Sequence, residues 1–203
     1  IIDKIKPNFE IYNLYGVVLF ELKKFDEAIK NWERAIELNK NYFFGYNNLG
    51  NVYFKINKIK DAIDNYNKAI NIKPDYFEAF HNRANAHLKS KNIEQALSDY
   101  NAALNIKYDY LPSLKGRASI FKLKNFFDKA LTDLDKIIIF NPKDKKAYLD
   151  RADIFFDLNK LSLALDNYKK ASELDQEPSF IFGNFFHTKT KMCDWDNFEK
   201  DFS

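Results

Sequence analysis

The sequence predicts an all-α protein, a solenoid of about five stacked helix hairpins, and three columns of residues carry that prediction. Ala28, Ala62, Ala96, Ala130 and Ala164 recur every 34 residues. Gly16, Gly50, Ala84, Ala118 and Ala152 form a second small-residue column in the same phase, and Trp32, Tyr66, Tyr100, Leu134 and Tyr168 form a large one. A small residue returning at a fixed interval is what the tightest helix crossing of a stacked array requires, and the large residue beside it fills the space between repeats.

The repeats begin near Phe9, Phe43, Phe77, Leu111 and Lys145, so the chain divides into 9–42, 43–76, 77–110, 111–144 and 145–178. Residues 1–8 read as the tail of an earlier repeat, because Ile5-Lys6-Pro7 echoes Ile72-Lys73-Pro74. Each repeat is expected to hold two antiparallel helices of about 12 to 15 residues. In the second repeat Tyr46, Leu49, Gly50 and Tyr53 lie three and four apart, which puts them on one stripe of a helix near Gly45 to Ile56. A polar turn at Asn57 and Lys58 follows. Ala62, Ile63, Tyr66, Ala69 and Ile70 repeat the device near Ile59 to Ile72, and Pro74 stops the helix by disfavouring helical geometry in the residue before it. Repeat three has Tyr108 where the closing proline would fall, and repeat five reaches Pro178 two residues late. Repeat four has Leu134 and Ile137 in the aromatic and second-alanine columns, which predicts altered packing there.

This pattern resembles the tetratricopeptide repeat (TPR), whose signature the second repeat carries as Tyr46, Leu49, Gly50, Tyr53, Ala62, Tyr66, Ala69 and Pro74. The resemblance spans all five repeats. It implies a right-handed superhelix whose concave groove, lined by the first helix of each hairpin, binds an extended peptide or protein segment. At the family's groove positions stand Asn13 in repeat one, Asn47, Asn48, Asn51 and Phe54 in repeat two, and His81, Asn82, Asn85 and Leu88 in repeat three. An asparagine amide both donates and accepts, so it can hold a peptide backbone whatever the peptide's side chains are. TPR arrays of the O-GlcNAc transferase type carry an asparagine ladder at the sixth position. Asn48 and Asn82 match it, whereas Leu14, Gly116 and Asp150 depart from it. The competing account of the stripe is that asparagine is simply abundant in this chain. A clamp for chaperone carboxyl tails is not expected, since Asn47, Asn51, Asn82, Pro112 and Gly116 occupy its positions and every cationic member is missing.

Arg83, Arg117 and Arg151 also recur every 34 residues, where TPR arrays usually have leucine. Their stems are expected to pack between helices while the guanidinium groups find carboxylates, Asp99 for Arg83 and Asp133 for Arg117. The alternative is a basic ladder for an anionic ligand.

Composition narrows the function classes. Lys+Arg 32 against Asp+Glu 29 gives a net charge of +3, without the basic footprint of a nucleic-acid binder. Cys193 is the single cysteine, and no window approaches the roughly 18 apolar residues of a membrane span. With no signal peptide visible, a cytoplasmic location is expected. The glycines are isolated, so there is no phosphate loop; His81 and His87 lie on different helix faces, and His187 with Cys193 supplies too few ligands for zinc. Neither a cofactor, a metal nor catalysis by this chain is expected.

Residues 179–203 leave the repeat. Phe180, Phe182, Phe185 and Phe186 precede Lys191-Met192-Cys193-Asp194-Trp195 and Phe198. The segment reads either as a plain capping helix or as a junction, because it resembles the passage from TPR array to catalytic region in bacterial O-GlcNAc-transferase-like (SPINDLY-like) glycosyltransferases. Two functions follow: a stand-alone interaction scaffold, or the substrate-recruiting arm of a larger glycosyltransferase. On the junction reading the aromatic end is also expected to self-associate.

Overall fold

The computed structural model describes residues 8–174 and 179–192, without the side chains of 179–182. Within these residues the chain is helical, with no strand: α1 (Phe9–Glu21), α2 (Phe25–Leu38), α3 (Phe43–Lys55), α4 (Ile59–Ile72), α5 (Phe77–Lys89), α6 (Ile93–Ile106), α7 (Leu111–Leu123), α8 (Phe127–Phe140), α9 (Lys145–Asp157), α10 (Leu161–Glu173) and α11 (Ser179–Met192). The expected upstream tail, Pro178 and the Cys193-Asp194-Trp195 motif lie outside the described residues.

Each hairpin turns on one residue in the left-handed region: Lys23, Asn57, Lys91, Asn125 or Asn159, with φ between 57 and 66°. The next residue's amide then reaches back over the turn. Lys24, Lys58, Asn92, Phe126 and Lys160 each donate to a carbonyl five residues earlier at 2.8 Å. This 6→1 bond satisfies a carbonyl that the helix end would otherwise leave open, and it folds the chain back at once.

The second helices end without needing proline. Lys73, before Pro74, is extended at φ −128°, and Lys107, before Tyr108, is extended at φ −134°. Both donate to the alanine carbonyl four residues back, so the closing hydrogen bond is the same in the two repeats.

The chain divides into two compact units, 1–113 and 114–203. In the first, the hairpins α1–α2, α3–α4 and α5–α6 stack through α2 on α3 and α4 on α5. Ala28, Ala62 and Ala96 are fully buried at the crossings, with Trp32, Tyr66 and Tyr100 buried beside them. Gly16 and Gly50 lie against those rings: a Cβ would stand 2.5 Å from Trp32 and 2.4 Å from Tyr66. In the second unit α8 packs on α9 and α10 on α11, with Ala130, Ala164, Leu134, Ile137 and Tyr168 buried. Phe185 of α11 joins the core of Tyr148, Ala152 and Tyr168.

The recurring arginines hold these hairpins together. Arg83 forks onto Asp99 at 2.8 and 2.6 Å and donates its third hydrogen bond to Asn67 of the preceding repeat at 2.6 Å. Arg117 forks onto Asp133 in the same way. Arg151 reaches Asn167 and, one repeat back, Asp135. They are structural fasteners; the alternative of an open basic ladder does not hold.

Two substitutions test this packing. Ala62→Phe overfills a crossing with no free volume and is expected to cost about 1 to 3 kcal/mol in urea unfolding, with Ala96→Phe behaving alike. Arg83→Ala strands the buried Asp99 carboxylate and is expected to cost about 3 kcal/mol. Arg34→Ala, which breaks the exposed pair with Glu37, serves as the control and should change stability by less than about 0.5 kcal/mol.

Candidate functional site

The candidate groove residues all fall in the first unit, on α1, α3 and α5. Their amides are not simply a row of free groups, because they are linked to one another across repeats. Asn13 Oδ1 accepts from Trp32 Nε1 at 3.1 Å and from Asn48 Nδ2 at 3.0 Å. One repeat on, Asn82 Nδ2 donates to Asn47 Oδ1 at 3.0 Å. The fifth position of one first helix is thus tied to the sixth position of the next.

The ninth position does a second job. Asn51 Oδ1 accepts the Tyr66 hydroxyl at 2.9 Å, and Asn85 Oδ1 accepts the Tyr100 hydroxyl at 2.6 Å. Each buried ring is therefore anchored to the face it supports. Burial pushes the Tyr100 phenol up to about 12 and raises that of Tyr66 as well, so both remain neutral donors.

His81 completes the chain of contacts. The Asn85 carbonyl oxygen is committed to Tyr100, so the amide nitrogen faces His81 Nε2 at 3.0 Å. Nε2 must accept, which leaves the proton on Nδ1, 3.1 Å from Ser113 Oγ. Burial lowers the ring's pKa from the ordinary 6.5 to about 4, and protonating Nε2 would set two donors against each other. His87 faces Asp99 instead, 3.8 Å away. Among the described residues no three metal-ligating side chains cluster.

These contacts sort the groove residues by what they can offer. Asn47 is only 5% exposed, which corrects its expected role: it positions Asn82 and is not itself a surface for a partner. Asn13 has both oxygen lone pairs in use. Asn48 and Asn82 are half-buried, and each spends one amide hydrogen on its neighbour; the Oδ1 acceptor and a second N–H of each have no partner among the described residues. Phe54 lies under the Lys89 ammonium, 4.9 Å from the ring centroid.

The second unit has different chemistry at the same repeat positions. Lys122 bridges Asp150 at 2.9 Å and Asp153 at 2.7 Å, and Lys146 also reaches Asp150. Burial works against the Lys122 charge, yet the two carboxylate hydrogen bonds outweigh it and its pKa is raised. Lys115 pairs with Asp144, which also caps α9 through the Ala147 amide. Sequence reasoning missed this cluster. Its signal was the charged residues Lys115, Lys122, Lys146 and Asp150 at first-helix positions where repeats two and three carry mostly uncharged residues.

Comparison with known proteins follows the architecture. A family model described as TPR repeat matches residues 16–57 and 50–91, and one described as tetratricopeptide repeat matches 77–110 and 145–178; together they span more than half of the chain. No curated protein matches its sequence. Among solved structures, YrrB, described as a TPR protein with an unusual peptide-binding site, has 17% identity and a TM-score of 0.72, covering 90% of this chain and 94% of its own. PilF of Pseudomonas aeruginosa has 14% identity and a TM-score of 0.80, over 93% of this chain and 86% of its own. Yeast Tom70 has 20% identity and a TM-score of 0.75, over 94% of this chain but 42% of its own. At these identities the likeness is one of fold. No helix among the described residues is long and apolar enough to cross a membrane.

The histidine gives a test in pH. Above about 6.5 neither state binds a proton at His81; between 6.5 and 4 the unfolded chain does and the folded one does not, so stability falls as the solution is acidified. At pH 5 the loss should be about 2 kcal/mol. Urea midpoints across this range should lose one proton's worth of slope in His81→Gln.

Proposed function

Because the chain belongs to the tetratricopeptide-repeat family, we propose that it is a protein-interaction module that holds an extended peptide or protein segment along α1, α3 and α5. The observation that carries this reading is the half-satisfied amides of Asn48 and Asn82. Their inter-repeat hydrogen bonds fix both side chains in place, so a partner's backbone meets preordered donors and acceptors and little side-chain entropy is lost on binding. Asn51, Asn85 and His81 stiffen that face from behind, and Phe54 supplies apolar area beside it. The peptide-binding site ascribed to YrrB supports the same use of such a fold.

The second reading makes this chain the recruiting arm of an O-GlcNAc-transferase-like glycosyltransferase. It rests on the sequence from Phe182 to Trp195, whose closing Cys193-Asp194-Trp195 lies outside the described residues, and on the short ladder of Asn48 and Asn82. On either reading the chain itself binds and does not catalyse. A cytoplasmic location, with no nucleic-acid or membrane partner, belongs to the same proposal, and so does self-association through the aromatic C-terminal segment.

Selection of peptides from a random library against the full chain supplies the ligand for a test. Asn48→Ala combined with Asn82→Ala should weaken the selected peptides by roughly 0.5 to 1.5 kcal/mol for each amide lost, with helicity unchanged. Binding equal to that of the parent would place the partner elsewhere. Sequencing the gene beyond Ser203 decides the second reading, which a stop codon there would end.

A further inference from the structure

One helical turn before Asn48 and Asn82, on the same stripe of their helices, stand Phe44 on α3 and Glu78 on α5. The two hold equivalent places 34 residues apart, and α3 and α5 touch each other. Phe44 is 45% exposed. The rings of Tyr42 and Tyr76 flank it, with centroids 6.0 and 5.5 Å away, and hold it in place.

Glu78 is half-buried, and among the described residues no cation pairs with it. Burial first, and then the Glu78 charge, raises the phenols of Tyr76 and Tyr110, so the carboxylate stands near two neutral rings. A carboxylate in a first turn suits the helix dipole wherever it lies. A half-buried one without a counter-ion has also given up hydration, which a cation from outside would offset. The chain's own lysines show that this row of rings takes cations. Lys73 lies over Phe43 and Lys107 over Phe77, each 4.9 Å from the ring centroid. Both lysines come from the ends of second helices, and among the described residues neither they nor any other cation lies over Phe44.

We infer that Phe44 and Glu78 form a subsite for an arginine side chain of the bound segment. The inference rests on the peptide-binding reading above and deepens it by naming one residue the partner must carry. Charge selects a cation, because the carboxylate is unpaired. Shape selects the guanidinium among cations: it is planar and weakly hydrated, so its face can lie on an exposed ring while its edge forks onto both oxygens of a carboxylate. The ammonium of lysine is a strongly hydrated point charge and has no such face to stack. A neutral apolar residue would cover the carboxylate without meeting it. The amides fix the placement. Asn48 and Asn82 take the backbone one turn further along, so the arginine belongs at the edge where the first helices begin.

Two measurements on the full chain test this. In NMR, N-acetyl-arginine amide should saturably shift the ring signals of Phe44, and N-acetyl-citrulline amide, of the same shape without the charge, should not. This arm needs no selected peptide. Peptides selected by the chain should share an arginine at one position, and replacing it by citrulline should weaken binding about tenfold in fluorescence polarisation. Glu78→Gln should weaken the arginine peptide about tenfold as well and leave the citrulline peptide nearly unchanged, which a merely structural role of Glu78 would not do. Phe44→Leu, which keeps apolar area and removes the ring, should also weaken the arginine peptide. Glu37→Gln, in an exposed pair with Arg34, is the control and should change nothing. Phe44 signals unmoved by the arginine amide, equal losses for both peptides in Glu78→Gln, or tighter binding when lysine replaces the arginine would overturn the assignment. A pool that binds through Asn48 and Asn82 without a shared arginine sinks the subsite and leaves the groove standing.

Discussion

The paired helices of each hairpin approach so closely at Ala28, Ala62, Ala96, Ala130 and Ala164 that no side-chain volume beyond a methyl group fits, and these five residues have no exposed surface. That crossing sets the rest. It brings the ring column against the first helix, close enough at Gly16 and Gly50 to leave no room for a Cβ. Once a tyrosine is pinned there, its hydroxyl emerges beside the ninth position and must be met by an acceptor, because a buried phenol left unpaired is costly. Asparagine or aspartate at that position, as at Asn51, Asn85 and Asp153, is thus first a structural answer. Its place on the first-helix face follows from the packing behind it.

Much of the fold could be read from the sequence, because one interval fixes which residues meet. The turn at Asn57, the end of α4 before Pro74 and the pairing of Arg83 with Asp99 and Arg117 with Asp133 all depend on neighbours within one hairpin, where spacing determines contact. The amide links were harder to see. They join residues 35 apart, from Asn13 to Asn48 and from Asn47 to Asn82, and so run diagonally between repeats. A column-by-column reading treats those residues as parallel and independent. It therefore counts Asn47 as surface, whereas the structure buries it beneath Asn82.

How repeat four packs was hidden for a different reason. Leu134 is visible as a departure, but an aliphatic residue in an aromatic column can be compensated by movement of its neighbours or left as a void, and only the packing of α7, α8 and α9 distinguishes these. The choice made by Lys115 between Asp144 and Asp150 is likewise a competition among rotamers and carboxylates that residue spacing does not decide. Tyr108 illustrates the converse. It breaks the family pattern, yet α6 ends where α4 does because the closing hydrogen bond is made by the backbone.

The hairpin turns have a consequence for how such a chain can change over generations. A single left-handed residue followed by a 6→1 amide bond leaves no slack in the connection. One inserted residue within a helix would rotate everything after it by about 100°, swinging an alanine out of its crossing and a lysine or aspartate into it. Small insertions and deletions are therefore filtered out at every element, while duplication or loss of a whole 34-residue unit preserves every contact but those at the new seam. The unit of heritable change in length is the hairpin, and recognition surfaces of this kind lengthen or shorten by whole repeats.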